Sequence, residues 1–534
     1  MRKKLYLLAA ILTSAVSGAQ AQDLNSLSDF DYFVHHLKVI SSDEFGGRKA
    51  LTPYETKTIE YIRDEYVSLG LKPACEDGYF QDVEEIKTST SLKGGKLTVK
   101  AGKSRISVSA PDEIIPWTLR NTEKVEMKNV PLIFAGYGAT APEYGWDDFK
   151  GVDVSGKVLL VLENDPGMFN PEIFNGKGMT YYGRADCKFE EAFRRGAAGC
   201  LVIHMPGSSA YKYSALQGAH GQQEISLADD SGNTDALGLN GWIAEDAVRR
   251  IFKAAGADYT SAVESARKAS FEPVELNAGI SATLEVQAEI GTSHNVIGII
   301  PGTDLADEAV VVAAHWDHLG IGTPVDGDAI YNGAGDNASG VAGMLTHIRR
   351  FIQDGTKMRR SVIFVALTSE EDGLLGSEWY AGHPVIPAAK TAAAVNIDGG
   401  APLGKSRNIE IYAGGLSDVD RTVEILGAAQ GRRADVIDPD TRGIFFRTDL
   451  FNFLRAGIPG VFVCGGQEWV DPEDHRSHYN PPYHHPKDEW RDDWDMSGVM
   501  DHWNLIHALI QVYANQPQMP AWNEGVSFRR PSAQ

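Results

Sequence analysis

Five short blocks in this 534-residue sequence carry imidazole and carboxylate groups in surroundings rich in glycine and apolar residues. They are His315-Trp316-Asp317, Gly335-Asp336-Asn337, Ser369-Glu370-Glu371, Asn396-Ile397-Asp398 and Tyr483-His484-His485-Pro486-Lys487-Asp488. Taken singly, each reads as a turn, a helix cap or a solvated acidic pair. Taken together they crowd carboxylates into one region, and that crowding needs a cation. Imidazole and carboxylate donors without thiolates suit zinc, manganese or cobalt, and several acidic ligands suit two adjacent ions sharing one carboxylate. Of the four cysteines, Cys75, Cys187, Cys200 and Cys464, none forms a C-x-x-C pair, which argues against a thiolate site.

The elements that must position these blocks follow from the apolar pattern. Strand-like runs at 310–314, 361–367, 392–397 and 461–463 alternate with helical patterns at 341–352 and 419–430. That alternation predicts an α/β fold with a mixed, mostly parallel sheet covered by helices on both faces, and ligands bind beyond the carboxyl ends of such strands. His315, Glu370, Glu371 and Asp398 all fall at those ends. Between about 130 and 271 the texture changes to short apolar strands separated by Gly, Asp and Pro turns, which reads as an inserted β-rich module. The expected organisation is a signal peptide at 1–21, an N-terminal part of the main domain at 22–128, the insert at 129–285, the catalytic domain at 286–514 and a C-terminal tail at 515–534.

Arg2, Lys3 and Lys4, an apolar run at 5–16 and the small-residue site Ala19-Gln20-Ala21 form the pattern of a secretory signal peptide. No apolar run is long enough to span a bilayer. The protein is expected to be exported, periplasmic or secreted, without a membrane span. A formal charge of -22 and the lack of a basic stripe argue against a nucleic-acid partner. In an oxidising compartment the four cysteines permit a disulfide without requiring one. The sequence leaves the oligomeric state open.

The five blocks, in this order and in these contexts, resemble the M28 family of co-catalytic zinc exopeptidases. The resemblance runs from Asn295 to His507, with Asp43-Glu44-Phe45-Gly46-Gly47-Arg48 similar to the family's lead-in. The insert, with Ile133-Phe134-Ala135-Gly136-Tyr137-Gly138 and Arg194-Arg195-Gly196-Ala197-Ala198-Gly199, is similar to a protease-associated domain. The family pattern implies a zinc exopeptidase fold and two zinc ions per chain. His315 and Asp398 would hold one ion, Glu371 and His484 the other, and Asp336 would bridge them. It makes Glu370 the general base for a water held at the metals, Asp317 the carboxylate that orients His315, and Tyr483 a donor to the developing oxyanion. Asp449, in Arg447-Thr448-Asp449-Leu450, occupies the family's Ser-Asp-His position and is assigned, with Tyr483, to substrate binding as partner of a free α-ammonium. Thr448 and Leu450 depart from that pattern. His318, His475, His478 and His485 fall outside the ligand positions and read as loop residues.

The expected activity is removal of N-terminal residues from peptides with a free N-terminus. The alternatives are a carboxypeptidase or dipeptidase, for which Arg442 and Arg447 would bind a substrate carboxylate, and a non-catalytic binding protein on the same scaffold. A phosphate-binding loop is suggested by Gly399-Gly400-Ala401-Pro402-Leu403-Gly404-Lys405-Ser406, but it requires a helix after Lys405-Ser406, where the pattern alternates as in a strand.

Overall fold

The computed structural model describes residues 24–532 apart from 208–211, 222, 439, 441–442, 474–481 and 527. The signal-peptide segment 1–21, Arg442, His475 and His478 lie outside the described residues.

Four strands that are buried along most of their length form the parallel centre of the main sheet, in the order Arg360–Leu367, Leu305–His315, Thr391–Asn396 and Gly460–Gly465. Antiparallel neighbours extend it on either side, Val274–Ile300 beside Arg360–Leu367 and Asn408–Tyr412 beside Gly460–Gly465. Near-continuous Val, Ile and Ala runs are what a strand covered on both faces requires. The alternation bears this out. Val310, Val312 and Ala314 pack under helices Asp29–Ile40, Ser339–Gln353 and Val499–Asn515, whereas Val311 and Ala313 face Tyr380 of Leu375–Gly382 and Leu450 and Phe453 of Leu450–Arg455.

The expected insert contains a second parallel sheet, Lys124–Phe134, Val158–Leu162, Gly199–His204 and Leu239–Ala244. Helix Ala185–Arg194 covers one face, and Glu245–Ala255 with Tyr259–Ala266 covers the other. Strands Lys96–Ala101, Ser104–Ser109 and Ile114–Trp117 join this body from before residue 129. The 27-residue strand Val274–Ile300 links the two bodies, pairing first with Lys124–Phe134, then with Phe80–Leu92, and finally with Arg360–Leu367.

After Lys405-Ser406 the chain enters strand Asn408–Tyr412, not a helix, and the Ser406 hydroxyl donates to the Asn408 carbonyl, so the phosphate-loop reading fails. The segment after 515 packs back on the domain, where Arg530 donates to the carbonyls of Ala388, Thr391 and Ala392. All four cysteines are unpaired, and burial pushes the Cys187 and Cys200 thiols up to about 12. Among the described residues no helix is long and apolar enough to cross a membrane.

Helices Ser339–Gln353 and Val499–Asn515 bury three histidines beneath the sheet. His507 stacks on Phe351 with ring centroids 4.1 Å apart, and His347 lies 5.6 Å from His507. Neither nitrogen of His347 has a hydrogen-bond partner, nor has Nδ1 of His502 or His507. Burial holds His347 well below the usual imidazole range and lowers His502 and His507 to about 3, with Arg350 and Arg432 adding to the effect. The unfolded chain therefore takes up protons below about pH 6.5 that the folded chain refuses, and stability falls with acid. The expected loss between pH 6.5 and pH 5 is roughly 1.5 kcal/mol per histidine. Urea unfolding of the metal-stripped protein checks this: His507→Phe should flatten the pH dependence by one histidine's share, and equal slopes for both proteins would refute the assignment.

Candidate metal centre

The strand ends deliver the predicted residues to one place. His315 closes strand Leu305–His315, Glu370 and Glu371 follow Arg360–Leu367, and Asp398 follows Thr391–Asn396. Asp336 lies on the turn ahead of helix Ser339–Gln353, where the Asn337 side chain accepts from the Gly340 and Gly399 amides and donates to the Ile397 carbonyl. That side chain fixes the Asp336 loop against the loop bearing Asp398. Asp488 accepts from the Gly335 and Asp336 amides at 2.8 and 3.1 Å and so supports the same loop from the distant block.

Around these residues the polar atoms converge. His315 Nε2 lies 3.4 Å from Asp336 Oδ1, 3.6 Å from Asp398 Oδ1 and 4.0 Å from Glu370 Oε2. His484 Nε2 lies 3.5 Å from Asp336 Oδ2 and 2.8 Å from Glu371 Oε2. Both Nε2 atoms are buried without a properly oriented hydrogen bond. Buried imidazole nitrogens aimed at carboxylate oxygens, with neither partnered, are the surroundings of a cation. The residues present fit a borderline divalent ion such as zinc.

Charge makes the same point. Burial opposes ionisation of Asp336, yet the facing imidazoles hold its carboxyl well below the usual range. Burial likewise opposes protonation of His484, but Asp336 and Glu371 raise it to about 9. For Glu370, burial together with the nearby Glu371, Asp398 and Asp449 carboxylates pushes the carboxyl well above its ordinary value, against the pull of His315.

Asp317 does more than the resemblance implies. His315 Nδ1 lies 3.2 Å from the Asp317 carbonyl and 3.7 Å from its Oδ1, while the carboxylate accepts from the Glu370 and Glu371 amides at 3.1 and 3.3 Å. It therefore orients the imidazole and also holds the backbone of the acidic pair. Two site positions sit in left-handed backbone without being glycine, Ser369 at φ 50° and His484 at φ 54°, a cost of order 1–3 kcal/mol each that surrounding structure must offset.

The Tyr483 ring stacks on His484 at 3.6 Å and its hydroxyl accepts from Arg447 at 3.4 Å. Asp449 is buried, and its charge is felt at Glu370. Burial pushes it up to about 7, against the pull of His315 and Ser377, and neither of its oxygens has a well-oriented hydrogen bond. It is not among the side chains lining the cleft of about 460 Å³ that opens over Glu370, Glu371 and His484. His318, expected as a loop residue, is fully buried with Nδ1 2.6 Å from Glu371 Oε1. His485 behaves as expected, its Nδ1 accepting from the Lys487 amide.

One guanidinium locks the loops together. Arg48, from the lead-in block, is fully buried and donates to the carbonyls of Ile40, Trp316, Asn332 and Gly333. Burial lowers its pKa to about 10, opposed by Asp488, Asp336, Asp317 and Glu371, so it stays charged at neutral pH. Gly47 beside it has φ +68°, and a Cβ there would meet the Tyr331 and Gly320 carbonyls at 2.5 and 2.6 Å. Arg48→Met should leave those carbonyls buried and unsatisfied, destabilising the fold by roughly 3–5 kcal/mol. Denaturant unfolding checks this, and a loss under about 1 kcal/mol, the scale of an ordinary surface change, would refute the locking role.

Residues 295–509 match the model of peptidase family M28. A probable glutamate carboxypeptidase VP8 of Zea mays is 29% identical over 169 residues, 31% of this chain and 20% of that protein, so the match spans about a fifth of the curated relative. Among solved structures, an aminopeptidase from Aneurinibacillus sp. strain AM-1 superposes over 95% of this chain and 99% of its own with a TM-score of 0.50 at 17% identity. BSAP, a zinc aminopeptidase from Bacillus subtilis, covers 93% of this chain and 97% of its own at 18% identity and a TM-score of 0.44. At 17% identity the Aneurinibacillus match speaks for the fold. The stretch that matches the peptidase family M28 model, residues 295–509, is the one that gathers the five blocks at one sheet edge.

Proposed function

We propose that this protein is an exported, dinuclear zinc aminopeptidase that releases N-terminal residues from peptides. The observation that carries the reading is one carboxylate set between two imidazoles, Asp336 Oδ1 facing His315 Nε2 at 3.4 Å and Asp336 Oδ2 facing His484 Nε2 at 3.5 Å. That is the arrangement a carboxylate shared by two ions needs. His315 and Asp398 would complete one ion's ligands, and Glu371 and His484 the other's. When bound, zinc polarises the peptide carbonyl and lowers the pKa of water toward neutrality.

The chain's own residues account for the remaining steps. Glu370 lines the cleft and is mostly buried among carboxylates, so its proton affinity is high. It can take a proton from the attacking water and return it to the leaving amine. Tyr483 offers its phenol at the cleft to the oxygen on which charge develops. The inserted body, which we read as a protease-associated domain, contributes Tyr181, Arg184, Asp186 and Glu190 to the cleft wall and narrows the access of water.

Charge in the cleft favours a substrate ammonium over a carboxylate. Asp186, Glu190, Glu370, Glu371, Asp372 and Glu378 line it, against Arg184, Arg447 and Arg455. Arg184 and Arg455 already face Asp186 and Glu190 at 2.8 and 3.7 Å, Lys49 faces Asp372 at 2.7 Å and Glu371 is taken up as a metal ligand, which leaves Glu370 and Glu378 against Arg447. The Aneurinibacillus protein is also named an aminopeptidase. The Zea mays relative's name keeps a carboxypeptidase as the second reading, for which Arg447 would be the cation.

Amino-acid p-nitroanilides, their N-acetylated forms and C-terminal dipeptide substrates separate the readings. Hydrolysis is expected only with a free amine, abolished by chelator, restored by zinc, and reduced about 10²–10⁴-fold by Glu370→Gln with zinc content unchanged. Cleavage confined to substrates with a free carboxylate would move the protein to the carboxypeptidase branch, and two bound zinc ions without hydrolysis would make it a binding protein. For export, mass analysis of the protein from the producing cell should find an N-terminus at Gln22, and an intact N-terminus in the cytoplasm would refute that part.

A further inference from the structure

His318 is assigned no part in the reaction so far, yet nothing in the centre is more enclosed. Its side chain is fully buried, and Nδ1 makes a 2.6 Å hydrogen bond to Glu371 Oε1. The ring meets that of His484 edge-on with centroids 5.6 Å apart. Its other side presses on Gly333, where φ is +57° and a Cβ would come within 2.5 Å of the imidazole carbons. Only glycine leaves room for the ring there. The second oxygen of Glu371 faces His484 Nε2 at 2.8 Å, an approach that lacks hydrogen-bond orientation.

The two oxygens of Glu371 therefore have different partners. Because a carboxylate only accepts, His318 donates through Nδ1–H, and its Nε2 has no hydrogen-bond partner. The terminal torsion of a glutamate is broad and roughly two-fold, so an unheld carboxylate is free to swing or to offer both oxygens. We infer that His318 is a positioning residue that grips Glu371 Oε1 so that a single oxygen, Oε2, is presented to the ion shared with His484. The inference rests on the reading of Glu371, His484 and Asp336 as metal ligands. An imidazole suits the task because its neutral form supplies a directed donor without bringing a positive charge against the ion.

The competing arrangement has His318 as a ligand itself, since its donor atom lies within 4.8 Å of ligand atoms of Asp336 and Glu371. The 2.6 Å contact argues otherwise. A donor and an acceptor 2.6 Å apart share a proton, so Nδ1 carries the hydrogen and has no lone pair for an ion.

The test is zinc titration of the chelator-stripped full-length protein against a competing chromophoric chelator, for wild type, His318→Asn, His318→Gln and His318→Ala. The asparagine amide nitrogen reaches the position of Nδ1, and the glutamine nitrogen does not. Wild type should bind two zinc ions in resolvable steps. His318→Ala and His318→Gln should weaken one step about 10–100-fold and leave the other within about threefold, and His318→Asn should recover most of the loss. Equal weakening of both steps, unchanged affinity in every variant, or Asn behaving like Gln would overturn the inference. So would a fall in imidazole scattering per zinc in the X-ray absorption spectrum of zinc-loaded His318→Asn, which would make His318 a ligand. Wild type that binds fewer than two zinc ions would instead refute the dinuclear reading, and the two failures are thereby distinct.

Discussion

The structure turns on mutual repulsion among carboxylates. Asp336, Glu370, Glu371 and Asp398 share one end of a parallel sheet with His315 and His484, inside a wall of buried side chains. In a low-dielectric setting like charges a few ångströms apart are strongly unfavourable, so the arrangement stands only if positive charge is brought in. Two permanent cations stand beside this spot, Lys49, which pairs with Asp372, and Arg48, whose guanidinium is taken up by four backbone carbonyls, so that it fixes the loops without neutralising any one ligand. The remaining deficit is what a pair of divalent ions would fill. It also accounts for the mass of orienting contacts behind the centre, from Asp317 on the acidic pair to Asp488 on the Asp336 loop.

A second constraint is the strand Val274–Ile300. By leaving one sheet and entering the other without a break, it makes the inserted body a fixed wall of the cleft and not a module on a linker. Contacts across the cleft support this. Tyr181 packs 4.9 Å from Phe451, Glu190 faces Arg455, and the Met179 amide donates to the Asp440 carbonyl. The long strand has alternating burial where one face is solvated and continuous burial near its end, where helices cover both faces.

Much of this was legible in the sequence because strand ends announce themselves. A run such as 310–314 must be a buried strand, and a His placed directly after it has few places to go. The blocks at 315, 370–371 and 398 are readable for that reason, whereas those at 336 and 484 lie on loops and take their roles only from the family resemblance. Burial of the three core histidines was not legible, since a helical His looks alike on either face until its neighbours are known. Nor was the course of strand Val274–Ile300, because a strand that changes sheets keeps the same local pattern. Asp449 was readable as a candidate site residue from its motif, but its burial follows from the packing of helix Leu450–Arg455 into the core under the sheet, which no local pattern encodes.

His318 shows where such reading stops. Two residues separate it from His315, and the spacing alone suggests a turn. Its role depends on Gly333, which lies in another block and reads as one more loop glycine, and on the rotation of Glu371, which no pattern encodes. A ligand position can be inferred from residue type and strand register, because both are set locally. The contacts that hold a ligand still arise only when loops distant in sequence are packed together, here by Arg48 and the Asn337 amide. Precision at such a centre is therefore a property of tertiary packing. The left-handed backbone at Ser369 and His484 is its cost, since residues that would relax elsewhere are held by their surroundings in the conformation the chemistry requires.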